Sequence, residues 1–61
     1  MTRNEFVETM QAYVEKLENE RKEMKAILKA QPDNDNVYHM ISKIGHEISA
    51  INNAIREMQR Q

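Results

Sequence analysis

The chain has 61 residues, 31% of them charged, and a formal net charge of −1. A chain this short holds one domain at most and is marginal as a lone monomer. It contains no cysteine, which excludes disulfides and thiolate metal sites and leaves oligomerisation as the remaining source of firm stability. The near-balanced charge offers no general attraction to nucleic acid or to an anionic membrane.

A single Gly, a single Pro and no Trp fit an all-α chain. No apolar run is long enough to span a bilayer, and the N-terminus is polar where a signal peptide would be apolar. A soluble, cytoplasmic protein is expected (host cytoplasm if phage-encoded), with Met1 read as the start of a complete small open reading frame.

Thr2-Arg3-Asn4-Glu5 fits a capping box, in which the Thr hydroxyl caps the helix and Glu reaches back from the third position. Met1 and Phe6 then occupy the two positions of a hydrophobic staple. Helix 1 is predicted over about residues 3–30. Its apolar stripe runs Phe6/Val7, Met10, Tyr13/Val14, Leu17, Met24 and Ile27/Leu28. That stripe is wider than a coiled-coil seam, as expected of a helix with more than one neighbour. One layer is missing, because Glu20-Arg21 stands where an apolar pair should fall. The outer face carries Glu8 and Glu15 early and Lys22 and Lys29 late, which complements the helix dipole. Glu18 and Lys22 are spaced for an i,i+4 ion pair worth about 0.2–0.5 kcal/mol.

Gln31-Pro32-Asp33-Asn34-Asp35-Asn36 is the one helix breaker, with a turn predicted over residues 31–35. Pro32 disfavours helix at the residue before it and cannot continue the ladder. The Asp/Asn run supplies N-caps for the next helix, with Asp33 or Asp35 expected in that role. So short a connection makes the two helices antiparallel neighbours.

Helix 2 is predicted over about residues 35–59. Val37, Ile41, Ile44, Ile48, Ile51, Ile55 and Met58 alternate steps of four and three, a heptad seam without a miss. Its flanks are small or neutral (Ser42, Gly45, Ser49, Ala50, Ala54), and between Asn36 and Ile55 the only formal charges are Lys43 and Glu47. Helix 2 is therefore expected to be the more buried of the two.

Folding the hairpin about Asn34 pairs the stripes layer by layer. Ile27/Leu28 meet Val37, Met24 meets Ile41, Leu17 meets Ile48, Met10 meets Ile55, and Phe6/Val7 meet Met58. Glu5 and Glu8 fall near Arg56 and Arg60. Two helices cannot cover both stripes, and the uncovered face would be a large exposed apolar patch. Two hairpins packed as a two-fold four-helix bundle would cover it. The expected fold is thus one all-α helical-hairpin domain over residues 1–61 that dimerises into a four-helix bundle. Val37, Ile41, Ile44, Ile48, Ile51, Ile55, Met58, Phe6, Met10, Leu17, Met24 and Ile27 form its expected oligomer core. In plan this resembles the Rop-type dimeric bundles. The resemblance is of architecture alone, with no shared residue motif, so no site is carried over from it.

Glu20, Arg21 and Gly45 are the candidate polar sites. Glu20-Arg21 should lie opposite Ile44-Gly45. It reads as a polar layer fixing register between chains, as a contact for a partner, or as two side chains snorkelling outward. Gly45 costs roughly 1 kcal/mol in a helix interior relative to Ala. Close helix approach, helped by Ser42 and Ser49, would repay that cost; a tolerated surface Gly is the competing reading.

His39 and His46 are seven residues apart on the outward side of helix 2 and read as solvated. Zinc sites on one helix use i,i+3 or i,i+4 ligands, and residues 36 and 43 do not complete a Glu-x-x-His pattern. Met10, Met24 and Met58 read as core filler, and Tyr38 and Met40 as the edge of a dimer core or an adaptable binding patch.

No metal, cofactor or catalytic residue is assigned, and no enzyme is expected. The first functional expectation is a small helical protein that homo-oligomerises and binds another protein, as a regulator, inhibitor or adaptor of bacterial or phage origin. The second is a scaffolding module of a larger assembly. The third is a Rop-like RNA binder, which would need Arg21, Lys22, Lys25 and Lys29 as a basic stripe. Glu18, Glu20 and Glu23 dilute that stripe.

Overall fold

The computed structural model describes residues 1–60, as an antiparallel hairpin of two α-helices, α1 (Arg3–Ala30) and α2 (Asp35–Arg60). The start of α1 is set by Thr2. Its hydroxyl accepts from the Glu5 N–H at 3.1 Å, and the Glu5 carboxylate accepts from the Thr2 N–H at 3.4 Å. This is the reciprocal capping box. The staple expected beside it does not bury Met1, which is 86% exposed.

At the other end, the Gln31 N–H donates to the carbonyls of Ile27 and Leu28, and Gln31 leaves the helical region at φ −133°, ψ 72°. Pro32 imposes that departure on the residue before it. The Asn34 N–H then donates to the Gln31 carbonyl at 3.0 Å, closing a turn with Pro32 and Asp33 at its centre. The cap of α2 is Asn34 rather than Asp33 or Asp35. Its Oδ1 accepts from the Val37 N–H at 3.1 Å, and its carbonyl takes the first helical bond, from Tyr38. The backbone sets this position, since the turn places Asp33 at its centre and the first helical bond starts at the Asn34 carbonyl. The Asn34 side-chain amide also donates to Gln31 Oε1 at 2.9 Å.

The two helices pack through one seam. On α1 it consists of Val7, Met10, Val14, Leu17, Arg21, Met24 and Leu28, all buried or half-buried, at alternating steps of three and four. On α2 it is the predicted heptad, with Val37, Ile44, Ile48 and Ile55 buried and Ile41, Ile51 and Met58 half-buried. Val14, Leu17, Ile44 and Ile48 form the central cluster, with Met24 and Ile51 against it. Burial inside the hairpin is shared almost evenly, three buried residues on α1 against four on α2. The excess expected for α2 is thus small within the single hairpin.

The molecule measures 44 × 15 × 13 Å, one layer of helices thick. Among the described residues no side chain is less than 2% exposed, because a helix with one neighbour covers only one stripe of its surface. No helix among the described residues is long and apolar enough to cross a membrane.

Candidate functional site

The paired apolar positions of α1 separate once the hairpin closes. The second of each pair, Val7, Val14 and Leu28, turns into the seam. The first, Phe6, Tyr13, Glu20 and Ile27, forms a row at seven-residue spacing along one flank, so they share one side of the helix. Tyr13 and Ile27 stay 43% and 42% exposed there. On α2 the matching row is Met40, Glu47 and Ala54, with Met40 45% exposed.

The two rows meet over a shallow groove. Its floor is Leu17 and Ile44 and its walls are Tyr13, Glu20, Met40, Lys43 and Glu47. The expected oligomer core therefore divides. Most of it lies in the seam within one chain, whereas Ile27 and part of Phe6 lie on the open flank.

The other flank is polar. On α1 it carries Gln11, Glu18 and Lys25, and on α2 Tyr38, Gly45 and Asn52, all but Gly45 exposed. Tyr38 and Met40, read together from the sequence, are thus on opposite sides of the seam. Tyr38 is 60% exposed and packs edge-to-face against His39, with ring centroids 5.9 Å apart at 76°. A second shallow depression, at the open end, is lined by Arg3, Asn4, Val7, Glu8, Gln11 and Gln59.

Glu20 and Arg21 part company at the seam. Glu20 lines the groove beside Met40 and Lys43. Arg21 holds the seam position between Leu17 and Met24, half-buried, and its guanidinium reaches over Gly45 of α2. A methyl group built on Gly45 would meet that guanidinium alone, at an ordinary contact distance of 3.7 Å. No backbone of α1 comes within that range, so close helix approach does not account for the glycine. Gly45 has no positive φ either. What it does provide is an open bed for the Arg21 side chain.

Surface charges contribute little within the chain. The one ion pair among the described residues is Arg60–Glu57 at 3.3 Å, and Arg56 donates to Asn53 at 3.2 Å. Neither the Glu18–Lys22 pair nor a contact between Glu5 or Glu8 and the α2 arginines is closed. Holding two exposed, flexible side chains in one geometry gains almost nothing in water. His39 and His46 are both exposed. Among the described residues no three His, Cys, Asp or Glu side chains gather as a metal site would require.

Sequence reading missed the groove because it treated Glu20 as one half of a broken layer. The signal was present in the seven-residue spacing of Phe6, Tyr13 and Ile27 beside the seam. Compared with protein-family models, curated proteins and solved structures, the chain matches none.

Proposed function

We propose that this hairpin is a non-enzymatic interaction module: it homodimerises into a four-helix bundle and, as a dimer, binds another protein as a regulator, inhibitor or adaptor of bacterial or phage origin. The observation that carries the reading is surface area. The chain exposes 4868 Å², whereas a compact monomer of its mass exposes about 4100 Å². The surplus is close to the roughly 800 Å² per partner that a standard interface covers. Exposed Tyr13, Ile27 and Met40 give that surplus an apolar side. A scaffolding role within a larger assembly rests on the same observation. RNA binding has less support, since Glu18, Glu20 and Glu23 interleave with the α1 lysines.

Two measurements on one sample test the proposal. Sedimentation equilibrium gives the mass, and affinity capture of tagged protein from the native host, or from the host of its phage, gives the partner. A dimer that retains a stoichiometric protein at moderate salt supports the regulator. A dimer that captures none favours the scaffold, and a monomer up to high micromolar concentration overturns both.

A further inference from the structure

We infer that the second copy docks on the flank carrying Tyr13, Glu20, Met40, Lys43 and Glu47, and that Lys43 of each copy meets a carboxylate of the other. This rests on the association reading above and goes beyond it by naming the face and the charges that select a like partner.

The apolar half of the case is the row beside the seam. Phe6, Tyr13 and Ile27 on α1 and Met40 and Ala54 on α2 widen both stripes toward the same flank. The opposite flank carries Gln11, Glu18, Lys25, Gly45 and Asn52, with Tyr38 its one large apolar side chain. A helix that buries a second face widens its stripe on that side, and α1 and α2 agree on the side.

The charged half concerns which partner fits. Glu20, Lys43 and Glu47 line one groove, and none of them forms an ion pair among the described residues. Two closed two-fold arrangements can stack this flank on itself. With the axis along the bundle, α1 of one copy lies against α2 of the other at the same level, which sets Glu20 against Lys43. With the axis across the bundle, α2 lies against its own copy running the opposite way. An axis near residue 45 then sets Lys43 against Glu47 twice. Lys43 meets a carboxylate of the other copy in either arrangement. In the second, Glu20, which the Arg21–Gly45 contact sets level with residue 45, also faces its own copy, so the charges favour the axis along the bundle. An interface of this kind tells right partners from wrong ones through its charges.

The test is a mixing experiment. One variant is Lys43→Glu, which makes the groove acidic throughout. The other is Glu20→Lys with Glu47→Lys, which makes it basic throughout. All these positions are exposed or half-exposed, and circular dichroism checks that each variant stays helical. Each variant alone is expected to associate more weakly than the parent chain, by about tenfold or more. An equimolar mixture is expected to recover a heterodimer. Charges paired only within a chain would give no such recovery. Variants that homodimerise as the parent does, with no preference for each other, overturn the inference.

Uncharged substitutions give an independent reading should a charge variant unfold. Tyr13→Ser is expected to weaken association and Tyr38→Ser to leave it unchanged. The reverse result places the interface on the opposite flank and overturns the inference while dimerisation stands. A parent chain that is monomeric at high micromolar concentration overturns both.

Discussion

The Arg21 guanidinium lies over Gly45, 3.7 Å from where a β-carbon would sit. Arg21 occupies the seam position that follows Val7 and Val14 and precedes Leu28 at seven-residue steps. A cation thus lies in the middle of an apolar seam, and the facing helix has no side chain where it crosses.

Gly45→Ala is expected to stabilise the hairpin by about 0.5–1 kcal/mol, the usual helix-interior difference between the two residues. The added methyl meets Arg21 at a distance that requires no shift. Chemical denaturation at fixed protein concentration measures this. A destabilised variant would mean that something else packs on Gly45, such as a second chain.

Arg21→Leu restores the missing apolar layer between Leu17 and Met24. A stability gain of about 1–2 kcal/mol is expected, less than full leucine burial supplies because the position is only half-buried. If Arg21 also sets the register between chains, sedimentation should show the variant as a mixture of species. A single species with unchanged stability would leave Arg21 no role in register. The gains of Arg21→Leu and Gly45→Ala should not add, since the two residues touch.

Leu17 is the most buried of the described residues, at 4% exposure, and belongs to the cluster with Val14, Ile44 and Ile48. Leu17→Ala is expected to cost about 2–5 kcal/mol. That is a large part of the stability available to so small a domain. Loss of helical signal well below the parent's melting temperature is the expected result. Tyr13→Ala, one turn away but 43% exposed, should leave the isolated hairpin nearly unaffected.

Asn34→Ala should cost about 1 kcal/mol, because it removes the cap on the Val37 N–H along with the bond to Gln31. Asp33→Ala should change stability by a few tenths at most, since Asp33 caps nothing. Comparable losses at Asp33 and Asn34 would contradict the cap assignment. Urea titrations of the two variants decide it.

Much of the hairpin was legible in the sequence because its determinants are local. The capping box at Thr2 and Glu5, the break at Pro32 and the unbroken seam from Val37 to Met58 act within a few residues of one another. Helix ends and apolar periodicity follow from such short-range contacts. Choosing Asn34 over Asp33 or Asp35 needed the turn geometry, since all three side chains can cap and only the closed turn decides at which residue the helical bonds begin.

What tertiary structure alone decided was the sorting of residues that share a stripe. By itself the sequence determined that Phe6/Val7, Tyr13/Val14, Glu20/Arg21 and Ile27/Leu28 recur as pairs on one broad face. Packing against α2 turned Val7, Val14, Arg21 and Leu28 into the seam and left Phe6, Tyr13, Glu20 and Ile27 along the flank. Adjacent residues on a helix differ by about 100° in direction, so both members of a pair cannot face α2 squarely, and the rotation of α1 about its axis decides which of them does. Only the position of the facing helix settles that rotation.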